Sequence, residues 1–442
     1  MSGLRPDFSA ARGKRLLIAL SGGADSVALA VLLAEARRAY DLTLFAAHVD
    51  HGIRPESGDD AAFCRALCEN LDIPFYLCAV DVPSAARLSG DGLETAAREL
   101  RYRQLRRLQT ETRSDYIALA HHLNDQAETV LMHLSRGAGL DGLRGMRELD
   151  EAAKLYRPLL NMRKSELTDC LRERGYGWRE DATNRVADNP RNALRLKVIP
   201  EIERWYPRFA EAVSRCARTA QIEGDLMERL TAEYLHDHSA DTPLCRWLEV
   251  VPLPHSAILR RAIRALCPEE LDWEQVNALE ALCCQTRGKI DIGAHYAERT
   301  GKRLYFVPKH LPAIEPAPLS LDGETTLFPL GKVTASRWDG GPIRDDPLRQ
   351  ALNPAALVGA VLRTRQPGDR IRPLGGGDKL LSDYLIDKKV DRPLRDATPL
   401  VATGSRVHWV VGHGISQEAA LKPEDTAILL SFDTITELKI DN

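Results

Sequence analysis

A run of small and hydroxylated residues, Ser21-Gly22-Gly23-Ala24-Asp25-Ser26, stands between an apolar segment and a helical pattern. Paired glycines at a strand-to-helix turn let the backbone curl, so that its N–H groups aim at an anion beside the positive end of the helix. The chemistry this suits is phosphate binding. A Walker A loop would need a lysine that this run lacks, and Asp25 would repel a bare phosphate. The repulsion becomes attraction if Mg²⁺ bridges the carboxylate to the phosphates, which makes Asp25 a candidate metal ligand.

A second cluster, His121-His122-Leu123-Asn124-Asp125-Gln126-Ala127-Glu128-Thr129, also leaves an apolar segment and enters a helix. Asp125 and Glu128 fall in the first turn, where the helix dipole favours acids, so plain capping competes with a catalytic role. His121 and His122 can each be a proton acceptor or a histidine bonded to backbone. Glu94, Arg98 and Arg101 are four and three apart and share one helix face, either an exposed salt-bridged face or one turned to a substrate. Arg191 and Arg195 are four apart within residues 185–218, where eight Arg and Lys face four Asp and Glu. A solvated surface is the default there, and contact with RNA phosphate the sharper alternative. Residues 361–395 form another basic stretch, nine cations against five anions, in a chain of net charge -3.

Short apolar runs at Leu16–Leu20, Leu42–Val49, Phe75–Val82 and Tyr116–Ala120 read as buried strands, with helices beginning near Ser26, Ser57, Gly92 and Asn124. That alternation predicts an α/β unit with a doubly wound parallel sheet. Three of the four strands end in polar clusters, Ser21-Gly22-Gly23, Asp50-His51-Gly52 and His121-His122, so the site belongs where those ends converge. Residues 200–235 and 255–285 read as helical. Five prolines between Pro308 and Pro329 read as a semi-rigid linker, followed by a small α+β domain. The expected division is 1–220, 221–315 and 325–442.

The 442 residues, 44% apolar and 28% charged, suit an ordinary globular protein of about three domains. The longest apolar run, Val27–Ala34, falls far short of the roughly 20 residues that cross a bilayer, and the N-terminus lacks a signal-peptide cleavage pattern, so a cytoplasmic location is expected. Nine cysteines without a C-x-x-C pair point to reduced, buried thiols rather than zinc or a redox dithiol.

The loop resembles the SGGxDS signature of the PP-loop ATP pyrophosphatase superfamily, with its adenine nucleotide alpha hydrolase-like fold. Further residues are similar to those of the tRNA(Ile)-lysidine synthetases: Val49-Asp50-His51-Gly52-Ile53-Arg54, Glu94 with Ala97-Arg98 and Arg101-Tyr102, the His121–Thr129 cluster, Arg136-Gly137-Ala138-Gly139, Arg157-Pro158-Leu159-Leu160, Glu180-Asp181-Ala182-Thr183-Asn184, and Arg191-Asn192 with Arg195. The resemblance is strong over 15–200 and weaker over 361–412, where Arg363, Pro367-Gly368-Asp369-Arg370 and Trp409 fit a C-terminal domain. One departure is Asn124, where the family pattern often shows aspartate.

The resemblance implies that ATP and L-lysine convert the wobble cytidine (position 34) of an isoleucine tRNA with a CAU anticodon to lysidine, through an adenylated base, releasing AMP and pyrophosphate. It implies ATP contacts from Ser21, Gly22, Gly23, Ala24, Asp25, Ser26, His51 and Arg98. Mg²⁺ would sit on Asp25 and Asp125, and the proton acceptor would be His121, His122 or Glu128. Glu94, Arg101, Arg191 and Arg195 would face substrate or RNA. A homodimer is left open and no membrane is involved. The alternatives are a PP-loop tRNA thiolase, disfavoured by the missing C-x-x-C pairs, and a non-catalytic nucleotide-sensing RNA-binding protein, disfavoured by the intact Asp25 and Asp125.

Overall fold

Leu16, Leu17 and Ile18 are all fully buried, which three consecutive residues of a strand can be only when both faces of their sheet are covered. The computed structural model describes residues 6–52, 57–89, 92–179, 189–242, 244–310, 314–338, 340, 346–421 and 426–434. Its first part runs β1 (Arg15–Ala19), α1 (Ala24–Ala36), β2 (Thr43–Asp50), α2 (Ser57–Asn70), β3 (Phe75–Ala79), α3 (Val82–Ser89), α4 (Leu93–Glu111), β4 (Tyr116–Ala118), α5 (Leu123–Ser135), α6 (Gly139–Leu143), β5 (Leu149–Asp150), β6 (Leu155–Tyr156) and α7 (Lys164–Glu173).

The sheet order is β3-β2-β1-β4-β6-β5, parallel except for β5. Leu16 and Ile18 pack with Val27, Leu29 and Leu33 of α1 and Leu167 and Leu171 of α7, whereas Leu17 packs with Leu105 and Leu108 of α4. The period-two alternation of β1 therefore serves two helical layers, as a doubly wound sheet requires. Strand order reverses between β1 and β4. Both strands end toward the glycine loop and the histidine cluster, which places those motifs at the switch point where such sheets bind ligands.

Beyond α7, α8 (Pro190–Ala193), a π-helical turn (Leu194–Val198), α9 (Ile199–Trp205) and α10 (Phe209–His238) follow in close succession. The chain divides into two compact units, Met1–Asp225 and Leu226–Asn442, where the sequence reading divides it into three.

The second unit begins with a five-stranded antiparallel sheet of order β7-β8-β11-β10-β9, made of β7 (Ser239–Asp241), β8 (Arg246–Glu249), β9 (Arg287–Ile292), β10 (His295–Thr300) and β11 (Arg303–Pro308). The expected helices are present as α11 (Ser256–Leu266) and α12 (Trp273–Cys283). They bury Leu259, Ile263, Leu279 and Leu282 against Leu248, Leu304 and Phe306. The sheet itself was not expected. The rest of the unit is α+β, with a seven-stranded and a four-stranded sheet sharing the core around Leu362, Trp409 and Leu430.

The expected linker is partly folded into this region. Ala317–Pro318 pairs with Val361–Leu362 at a sheet edge, a place where proline's missing N–H costs no ladder bond, and Leu319 and Leu321 pack on the core. All nine cysteines are free and seven are buried. No helix among the described residues is long and apolar enough to cross a membrane.

Candidate active site

The loop after β1 is built by its own side chains. Ser26 Oγ donates to Gly23 O at 2.9 Å and accepts from Ser21 N at 3.1 Å, which ties the loop's start to the first turn of α1. Gly22 has φ +87°, and a Cβ there would meet Cys64 Sγ at 3.3 Å, so backbone conformation and space both call for glycine. Gly23 caps α1 without a side-chain bond, leaving the helix's first N–H groups, from Ala24 onward, without a side-chain cap.

Asp25 sits in that first turn. Its Oδ1 is buried with no hydrogen-bond partner, while Oδ2 lies 3.7 Å from both His122 Nε2 and Lys164 Nζ. Burial alone would raise its pKa, but the hydrogen bond and charge of His122, with Lys164 and Arg195, hold it below the ordinary carboxylate value. An orphaned, ionised carboxylate oxygen beside a phosphate loop fits a Mg²⁺ ligand. Among the described residues no group of three or more His, Cys, Asp or Glu could hold a metal alone. Protein-bound Mg²⁺ here would therefore rely on Asp25 and take further oxygens from phosphate.

The cluster after β4 combines capping with chemistry. His122 is the N-cap of α5: its Nδ1 accepts from Asp125 N at 3.3 Å, and Asp125 Oδ2 accepts from His122 N at 3.1 Å. The remaining carboxylate oxygen of Asp125 accepts from Arg195 Nη2 at 2.9 Å and Arg191 Nη2 at 3.3 Å. Glu128, 1% exposed, takes Arg195 Nε at 2.6 Å on one oxygen, and Arg191 Nε and Arg195 Nη2 at 2.8 Å on the other. Two expectations change accordingly. Arg191 and Arg195 are not a solvated surface, because they reach back across the sequence to these acids. Asp125 is less free than Asp25 to take a metal in this arrangement, since its Oδ1 accepts two guanidinium donors and its Oδ2 the cap bond.

His121 Nδ1 is buried without a partner. Burial pushes its pKa down; Asp125 opposes that, and the nearby charges of Arg157, Arg191 and Arg101 add to it, so the ring is neutral near pH 7. His51, Ala97, Arg98, Arg101 and Arg191 line a cavity of about 230 Å³. The guanidinium carbons of Arg98 and Arg101 lie 5.1 Å and 5.7 Å from the centroid of the Tyr102 ring. Burial lowers the pKa of His51, with Arg101 next in effect, and its Nδ1 is buried and unpartnered. Four residues chosen from sequence thus meet in one cationic pocket. Glu94 lies on α4, but its side chain, with residues 53–56 and 180–188, lies outside the described residues.

One contributor escaped the sequence reading. Lys164 stands at the first position of α7 and reaches Asp25, although the helix dipole disfavours a cation there. That misfit was the available signal. Asn124 Oδ1 accepts Lys164 N at 3.2 Å, so the residue that departs from the family pattern joins the starts of α5 and α7.

Residues 4–202 match the PP-loop domain and residues 360–432 the TilS substrate C-terminal domain. A tRNA(Ile)-lysidine synthase from Thermus thermophilus is 37% identical over 402 residues, spanning 90% of this chain and 68% of that protein. The chain belongs to the tRNA(Ile)-lysidine synthase family. Another member, from Caldanaerobacter subterraneus subsp. tengcongensis, is 30% identical over 94% of this chain and 93% of its own length. A solved U34-tRNA thiolase from Methanococcus maripaludis with a [4Fe-4S] cluster is a far more distant neighbour, 21% identical with a TM-score of 0.40, covering 48% of this chain and 72% of that one.

Proposed function

We propose that this chain ligates L-lysine to C2 of the wobble cytidine of an isoleucine tRNA bearing a CAU anticodon, consuming ATP and releasing AMP and pyrophosphate. The observation that carries the reading is the meeting, at one switch point, of a phosphate loop bearing the orphaned Asp25 carboxylate and a cationic pocket of base-sized volume. The names of the relatives support the same substrate.

Cytosine O2 is a poor leaving group, so it first attacks the α-phosphorus of ATP, forming an O–P bond as pyrophosphate departs. Bound Mg²⁺ would neutralise phosphate charge at this step. The loop N–H groups and Lys164 hold the phosphates, and the single-stranded anticodon base can enter the pocket without breaking a duplex. The lysine ε-amine then attacks C2 and the C2–O bond breaks, so AMP leaves with the former base oxygen.

Free lysine has a pKa near 10.4 and arrives as ammonium, so a proton must be lost. We assign the acceptor role to His121, whose Nδ1 has no hydrogen-bond partner among the described residues. His122 spends Nδ1 on the helix cap, and both oxygens of Glu128 are held by guanidinium groups. Arg98 and Arg101 face the nucleotide or base, and the second unit holds the more distant part of the tRNA. These substrates are met in the cytoplasm. Mass spectrometry of tRNA nucleosides after incubation with ATP, Mg²⁺ and lysine tests the reading. A mass gain of one lysine on cytidine is expected, whereas a sulfur-for-oxygen change or no change would overturn it.

A further inference from the structure

At the C-terminal end of α9 two adjacent aromatic residues stand largely in solvent, Trp205 at 76% and Tyr206 at 69% exposure. Single exposed apolar side chains are ordinary, but two neighbouring large rings are not. Val198 is 42% exposed and lies seven residues before Trp205, two helical turns back on the same side.

The turn bearing the rings is held firmly. Arg163 donates to Glu211 at 2.8 Å and 2.7 Å, to Pro207 O at 2.9 Å, and to Glu203 at 3.4 Å. The next residue, Lys164, is the one that reaches Asp25 at 3.7 Å. The aromatic turn is therefore fixed to the same helix start that borders the reacting phosphates.

The charge around it is one-sided. Glu203 and Glu211 are occupied by Arg163, and Glu201 by Arg204 at 2.9 Å. Arg208 and Arg215, seven apart, and Lys197 are exposed and have no ion pair among the described residues. Exposed rings flanked by uncommitted cations match the chemistry of unpaired RNA, where bases stack on rings and phosphates meet guanidinium groups. A protein partner would be expected to meet a more neutral surface, with its charges paired.

We propose that Trp205 and Tyr206 form a stacking platform for unpaired bases of the tRNA substrate, with Arg208 and Arg215 holding the adjoining phosphates. The proposal rests on the reading of a tRNA-modifying enzyme given above and adds which surface grips the RNA outside the pocket. Stacking is worth about 1–3 kcal/mol per base, so each ring lost should weaken binding roughly tenfold.

The test measures affinity of the full chain for an unmodified isoleucine tRNA transcript at several salt concentrations, without ATP or lysine. W205A/Y206A is expected to bind about a hundredfold more weakly with an unchanged salt slope, and W205F/Y206F to recover most of the loss. Arg208→Ala is expected to reduce the log–log salt slope by about 0.7 to 0.9. ATP affinity should stay constant in all variants and serves as the folding control. Wild-type RNA affinity in W205A/Y206A would overturn the platform, as would a change from dimer to monomer in sedimentation with RNA affinity intact. The readout needs no turnover, so a wild-type chain that binds tRNA but makes no lysidine would count against the reaction and leave the platform standing.

Discussion

Two arginine–carboxylate clusters, one in each unit, are made from the same groups and differ in nearly everything else. In the first unit Arg191 and Arg195 cross 63 to 70 residues of sequence to reach Asp125 and Glu128, and their side chains stay 33% and 29% exposed. In the second, Arg363 grips Asp369 six residues away at 2.7 Å and 2.8 Å, with both side chains only 3% exposed. The sealed pair fixes a turn: Asp369 also accepts Gln366 N at 2.7 Å, and Arg363 donates to Gly404 O at 2.8 Å. Opening it would strand a buried charge, at a cost of roughly 3–5 kcal/mol. In the open cluster the carboxylates are buried too, Glu128 at 1% and Asp125 at 10%, but the guanidinium groups are reached by water and can offer N–H donors to a phosphate without releasing the acids. Burial of the guanidinium separates an ion pair that holds a fold from one that can serve a reaction.

The sharpest way to break this comparison is Asp125→Asn. The amide oxygen can still cap α5, so the fold should persist, but one of the two carboxylates that orient Arg191 and Arg195 loses its charge, and lysidine formation should fall below detection. Asn124→Asp should stay within about threefold of wild type, because a carboxylate oxygen can equally accept Lys164 N. If Asn124→Asp is inactive and Asp125→Asn active, the roles are reversed.

Asp369→Asn probes the other side. Leaving Arg363 unpaired should cost roughly 3–5 kcal/mol of stability in the second unit, visible in denaturant unfolding, with ATP affinity unchanged. Intact stability would mean the pair is not what fixes the turn. Asp25→Asn should keep the fold and slow pyrophosphate release by about a hundredfold or more, as loss of a charge at a phosphoryl-transfer site predicts. Wild-type release rates would remove Asp25 from the site.

The smallest expected effect concerns His121, whose pKa is lowered in the fold from its ordinary 6.5. The unfolded chain then binds more protons below pH 6.5, so stability is full above that value and declines as pH falls toward the folded pKa. His121→Gln should flatten that part of the stability–pH curve. An unaltered curve would show that His121 is not held neutral by burial.

The first unit was legible because its signals are local. Apolar strands, the glycine loop and the polar strand ends each lie within a few residues, and their convergence follows from the handedness and order of parallel sheets. The acidic partners of Arg191 and Arg195 were not legible because they are remote in sequence, so the local pattern resembles any charged surface. The sheet of the second unit was hidden for a different reason: β9 reads Arg-Gly-Lys-Ile-Asp-Ile and β10 His-Tyr-Ala-Glu-Arg-Thr, too polar to stand out beside the strongly amphipathic α11. In the basic stretch 361–395, Arg363, Arg365, Arg370 and Lys379 are bound to Asp369, Asp396, Asp378 and Asp387, so four of its nine cations already have a partner. Net charge counted along a chain does not reveal which charges are already spent.

The central claim is that the base oxygen of the wobble cytidine attacks ATP before lysine arrives. It is tested most directly with tRNA carrying ¹⁸O at cytidine O2. The account predicts that the label leaves the base and appears in the phosphate of AMP, in step with lysidine formation. Unlabelled AMP, with the label retained in the nucleoside or released to water, would contradict it.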